Sequence, residues 1–128
     1  MPTAEEHLVK YRLNRAFLDS NGGLVNHEPR WAVIVAHYTA IHLVERLAAR
    51  ENLHSGSHSR RDAFLAEHPD HHIIYRAFFQ LRIASESARY DSIRLFSESY
   101  SLAQIRDILI GERLAAIEKY VESDFPSK

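Results

Sequence analysis

The stretch Pro29-Arg-Trp31-Ala-Val33-Ile34-Val35-Ala-His37-Tyr38-Thr-Ala-Ile41-His42-Leu43-Val44-Glu45-Arg-Leu47-Ala48-Ala-Arg-Glu51 decides the fold of this 128-residue chain. Pro29 suits the first turn of a helix, where its missing N–H is no loss. From there Trp31, Val33, Ile34, Val35, Tyr38, Ile41, Leu43, Val44, Leu47 and Ala48 cover most of a helical circumference. A helix apolar nearly all round lies in the middle of a bundle. The longest unbroken apolar run, Trp31 to Ala36, falls far short of the roughly 20 residues that span a bilayer, so no membrane contact is expected.

Working outward, helices are predicted on both sides. Upstream, Thr3 can cap a helix running to Ser20, with Glu5 and Glu6 in its first turn and Val9, Leu13, Ala16 and Phe17 as its apolar stripe. Asn21-Gly22-Gly23 stops it, because these residues take the left-handed conformation at a helix end. Downstream, Leu53 to Ser57 is a break, and Ser57 caps a short helix from His58 to Glu67. The next helix is predicted from Asp70 to Tyr90, carrying Ile73, Ile74, Ala77, Phe78, Leu81, Ala84 and Ala88. Asp91 to Tyr100 has no sustained period and reads as a loop, with at most a turn of helix. Ser101 and Gln104 form a capping box for a last helix with Ile105, Ile108, Leu109, Leu114, Ile117 and Val121, ended by Phe125-Pro126. The expected architecture is all-α: one domain over residues 1–128, an up-and-down four-helix bundle with one additional short helix.

Composition narrows the function classes. Sixteen basic and seventeen acidic residues leave a net charge of −1, so a global electrostatic grip on nucleic acid is not expected, although a local basic patch remains open. Thirteen of the sixteen basic residues are Arg, the better side chain for bidentate contacts to carboxylate or phosphate. The absence of Cys excludes disulfides and thiolate metal sites. The N-terminal residues lack the basic and apolar regions of a signal peptide, and a cytoplasmic location is the expectation.

The polar residues of the central helix and its downstream turn carry the candidate chemistry. His37 and His42 are about 140° apart on a helix and cannot share one ligand. His42 and Glu45, three apart, can share a face, as a general base with its orienting carboxylate, as half of a metal site, or as a core His satisfied by a neighbour. Arg60 and Arg61 stand in the first turn of the short helix, where positive charge opposes the helix dipole; they serve a partner or anion, or are solvated. Arg82 and Arg89, with Glu86 between them, read as a salt-bridge ladder or a phosphate track. His54 and His58 have metal-ligand spacing, but Gly56 interrupts it; His68, His71 and His72 are expected to face solvent. No metal or cofactor is expected, and there is no phosphate loop, nucleophile elbow or zinc-protease motif.

The run from Trp31 through His37, Tyr38 and His42 to Glu45 resembles the second helix of HEPN-type helical domains. His54-Ser-Gly-Ser57-His58-Ser-Arg60-Arg61 resembles the Ser-His-x-x-Arg turn of some members, and Ser87-Ala88-Arg89-Tyr90 the end of their next long helix. In helix order the resemblance covers roughly residues 5 to 122. It implies a helical bundle, often dimeric, linked to RNA cleavage, toxin–antitoxin systems and nucleotide or nucleic-acid binding. The nuclease members place an Arg and a His a few residues apart near the start of a late helix. Here Ser101 to Val121 contains no His, and the pairs Arg30–His37 and Arg61–His68 are no more than thirteen Arg and nine His supply by chance. The resemblance therefore implies a non-catalytic binding module. Its expected surface joins Tyr38, His42, Glu45, Ser57, His58, Arg61, Arg89 and Tyr90, with Arg61 and Arg89 on a phosphate or carboxylate, His42 and His58 as neutral hydrogen-bonding groups, and Tyr38 or Tyr90 as a stacking face. The expected partners are an RNA or nucleotide ligand, a second copy of the chain, and an antitoxin or nucleotidyltransferase. A homodimer is also suggested by Phe78, Phe79 and Ile83, which cannot all face one core. A metal-independent RNase and a purely structural interaction module are the alternatives.

Overall fold

A computed structural model describes residues 2–54 and 56–125; Ser55 of the predicted break and Pro126 of the predicted stop lie outside them. All regular structure among the described residues is helical: α1 (Ala4–Asp19), α2 (Pro29–Arg50), α3 (His58–Glu67), α4 (Tyr75–Tyr90), α5 (Ile93–Ser99) and α6 (Ala115–Asp124). α6 continues directly from a π-wound segment, Gln104–Leu114, and short 3-10 turns occupy Ser20–Gly22, Leu24–Asn26 and His71–Ile74.

α2 is central, touching α1, α3, α4, α6 and the π-wound segment. Ala32, Val33, Ala36, Ala40, Val44, Leu47 and Ala48 along it have no exposed surface. Its length and composition would suit a membrane span, but 78% of its most apolar window is buried within the protein, as a core helix requires. Each large apolar side chain buried against it contributes roughly 1.5–3 kcal/mol.

The predicted caps are present. Thr3 and Glu6 form a full capping box on α1, Ser57 accepts from the Arg60 amide, and Ser101 and Gln104 exchange hydrogen bonds of 2.8 and 3.1 Å. Asn21, Gly22 and Gly23 all take positive φ at the end of α1.

Four expectations are corrected. The α1 stripe of Val9, Leu13, Ala16 and Phe17 faces outward; His7 and Leu18 are buried instead, with Tyr11 half-buried. His7 reaches His42 with Nδ1 to Nδ1 at 3.1 Å, and the Tyr11 hydroxyl donates to Glu118, so polar rings hold this helix down. The segment Asp91–Tyr100 is not a loop: Ser92 accepts from the Leu95 amide at 3.1 Å and starts α5. Only Phe96 of α5 is buried, which is why no period shows. The helix read from Asp70 begins as a 3-10 turn, leaving Ile73 exposed. In the last helix Ile105, Leu109 and Leu114 are buried and Ile108 is exposed. Their spacings of four and five residues follow from π winding, in which each amide reaches one residue further back. Of the crowded α4 residues, Phe78 is buried, and Phe79 and Ile83 line a cleft against Tyr100 and Ile108.

Candidate binding site

Gly56, at φ 69°, turns the chain so that Ser57 can cap α3. One turn into α3, Arg61 points at α2. Its Nε donates to Oε1 of Glu45 at 2.7 Å, and both residues are buried. Its Nη1 lies 3.3 Å from Nδ1 of His58, one helical turn earlier. The His58 ring stacks on His37, with centroids 5.8 Å apart and planes within 20°. His37 touches the Phe78 ring from α4 on another side.

α4 completes the recess. Arg82 binds Asp62 of α3 at 2.7 Å and Glu86 at 3.8 Å. Arg89 reaches the Tyr38 hydroxyl at 3.5 Å, the limit of a hydrogen bond, and its guanidinium sits 5.2 Å from the Tyr90 ring. No carboxylate lies within ion-pair distance of Arg89 among the described residues, and its Nε is buried without a hydrogen-bond partner. Glu45 and Asp62 each face an Arg; Arg89 is the cation left over.

Burial, reinforced by the guanidinia, sets the protonation of the imidazoles. Burial pushes the His37 pKa down to about 3, and His58, Arg61, Arg89 and Arg82 add to the effect. Desolvation and then Arg61 lower that of His58. Both rings are neutral at pH 7. Glu45 and Asp62 neutralise Arg61 and Arg82, so Arg89 is the guanidinium free to meet a phosphate or carboxylate, beside imidazoles that carry no charge.

The structure brings together Tyr38, Glu45, His58, Arg61, Arg89 and Tyr90 of the expected surface. Ser57 is nearby but engaged as a cap. His42 is directed away, to His7 on α1, and burial followed by His7 lowers its pKa to about 4. Arg61 is a buried ion-pair member rather than a solvated anion ligand. His37 and Arg82, singled out in the sequence, were left out of the expected surface: His37 lay within an apolar run, and Arg82 had a helical partner in Glu86. No sequence signal places either in the recess, since their neighbours there come from other helices.

A second polar cluster joins Glu51, His68 and His71, whose ligand atoms lie within 4.8 Å of one another. His71 is buried, contrary to its expected exposure. Nδ1 of His68 accepts from the amides of Asp70 and His71 at 3.0 and 3.1 Å. Its proton is therefore on Nε2, which donates to Glu51 at 3.1 Å. His71 Nε2 donates to the same carboxylate at 3.0 Å, and its Nδ1 faces the Tyr120 hydroxyl at 2.7 Å. A metal at His68 Nε2 would need the lone pair that this tautomer lacks, so the cluster is a hydrogen-bonded clamp. A modest excess of zinc is expected to raise the melting temperature of the wild type no more than that of His68→Gln; a rise confined to the wild type would show a metal site.

Compared with models of protein families, with curated proteins and with solved structures, the chain matches none.

Proposed function

We propose that this chain is a non-catalytic HEPN-like binding module whose recess takes a phosphate group of an RNA or nucleotide on Arg89. The observation that carries this reading is Arg89, which borders Tyr38 and the neutral imidazoles and has no acidic partner among the described residues, whereas Arg61 and Arg82 are paired with Glu45 and Asp62. Tyr38 and Tyr90, 42% and 76% exposed, offer rings on which a base can stack. In this reading α1, α2, α4 and the last helix form the up-and-down four-helix core of such domains. The protein acts in the cytoplasm as a homodimer, in a toxin–antitoxin-like setting with an antitoxin or nucleotidyltransferase partner.

The test is binding of short single-stranded RNA, followed by anisotropy over a salt series. Arg89→Ala is expected to weaken it ten- to a hundredfold, about 1.5–3 kcal/mol, and to reduce the salt dependence by the share of about one phosphate contact. Unchanged binding in Arg89→Ala removes the site.

The juxtaposition of His58 with Arg61 favours the RNase reading, because one could exchange protons while the other stabilises phosphorane charge. Against it, His37 is 1% exposed and cannot reach a substrate, which leaves one accessible imidazole. RNA is expected to stay intact with and without divalent metal. Cleavage that disappears in His58→Ala would replace the binding module with the nuclease.

A further inference from the structure

We propose that the groove between the start of α2, the end of α4 and α5 binds a small amphipathic anion, its flat apolar body against Trp31 and its carboxylate or phosphate on Arg89. The proposal deepens the phosphate-binding reading and rests on it only for the availability of Arg89.

The groove encloses about 700 Å³, within the range of roughly 300–1,000 Å³ typical of small-molecule sites. Its walls are Trp31 and Ile34 of α2, Phe96 of α5, and Tyr100 and Leu102 beyond it. Trp31 is 58% exposed, whereas the next two residues of its helix have no exposed surface. A large aromatic ring left in water at the edge of an apolar groove is available to a ligand, and a flat ligand gains most from it.

The charges in the groove place the anion. Arg30 is engaged: its Nε donates to the Ala88 carbonyl at 2.9 Å and its Nη2 to the Asp91 carbonyl at 2.9 Å. Its charge thereby balances the C-terminal end of α4. Glu28, also lining the groove, repels an anion from its own end. Arg89 borders both this groove and the phosphate recess, has no carboxylate within ion-pair distance among the described residues, and reaches Tyr38 only at the 3.5 Å limit of a hydrogen bond. A ligand with one anionic group can therefore satisfy Arg89 while its body fills the groove. A carboxylate and a phosphate monoester both meet this requirement, and the guanidinium fork accepts either.

The probes are 1-naphthylacetate and 1-naphthyl phosphate, with 1-naphthalenemethanol as the uncharged body and inorganic phosphate as the head group alone. Binding is measured by calorimetry, and the indole N–H cross-peak of the sole tryptophan is followed in a ¹⁵N–¹H spectrum. At least one naphthyl anion is expected to bind tenfold or more tighter than both controls and to move the Trp31 cross-peak. Arg89→Gln should reduce it to the level of the alcohol. Trp31→Leu, at an exposed position that the fold does not depend on, should weaken it about tenfold. Binding of the alcohol or of inorganic phosphate as tight as that of both anions, or anion binding that leaves the indole cross-peak in place, overturns the proposal. RNA binding that depends on Arg89 in a protein that binds neither naphthyl anion overturns this inference alone. A protein that binds the anions but not RNA overturns the RNA reading alone.

Discussion

Replacing His37 with leucine is expected to stabilise the protein at pH 7 by about 1–2 kcal/mol and to remove part of its sensitivity to acid. The imidazole is 1% exposed, and neither ring nitrogen has a hydrogen-bond partner among the described residues. A buried polar group without a partner costs about 1–3 kcal/mol, and an apolar side chain of similar size does not carry that cost. The pH dependence follows from the pKa of about 3 in the folded protein, against about 6.5 in the unfolded chain. Between these values the unfolded chain binds a proton that the folded chain refuses. Stability is therefore highest above pH 6.5 and falls as the pH drops, by about 1.4 kcal/mol per pH unit for this residue alone. His42 and His7, also lowered by burial, act in the same direction and persist in the variant. Urea unfolding at pH 7 and pH 5 should show the two proteins about 2 kcal/mol further apart at the lower pH. Equal losses in both proteins would mean that the His37 ring is hydrated or partnered in solution.

Glu45→Ala is expected to be the most damaging single change in the recess, costing about 3–5 kcal/mol, because it strands the Arg61 guanidinium in a site where it is 8% exposed. The paired replacement Glu45→Leu with Arg61→Met should recover most of that loss, since removing both charges removes their desolvation cost as well. The coupling is measured by a double-mutant cycle in denaturant. A loss below about 1 kcal/mol in Glu45→Ala would show that solvent reaches Arg61. The same buried pair makes Arg61→Ala a poor probe of ligand binding: it would unfold the floor of the recess along with any contact it removes. Arg89, outside that pair, is the informative position.

The sequence by itself determined that the chain is helical, where most helices begin and stop, and which helix is central. These are local matters: a capping side chain reaches an amide three residues away, a glycine adopts its own positive φ, and α2 is apolar on every side whichever neighbours arrive. Tertiary structure decided which face of α1 is buried. Periodicity identified the Val9–Phe17 stripe, but His7 and Tyr11 on the other face find hydrogen-bond partners on α2 and α6, and those contacts turn the stripe outward. The π winding from Gln104 to Leu114 leaves Ile108 exposed, while Ile105, Leu109, Leu114, Ile117 and Val121 are buried as their apolar pattern indicates. The recess was half legible. His58, Arg61 and Arg89 stand out as polar residues near helix ends, and Glu45 as an acid in an apolar helix. That Glu45 forms an ion pair with Arg61, and that His37 lies beneath Arg61, Arg82 and Arg89, depends on three helices meeting. Charge and burial at a site assembled from separate helices are set by distances through space, and no spacing along the chain records those distances.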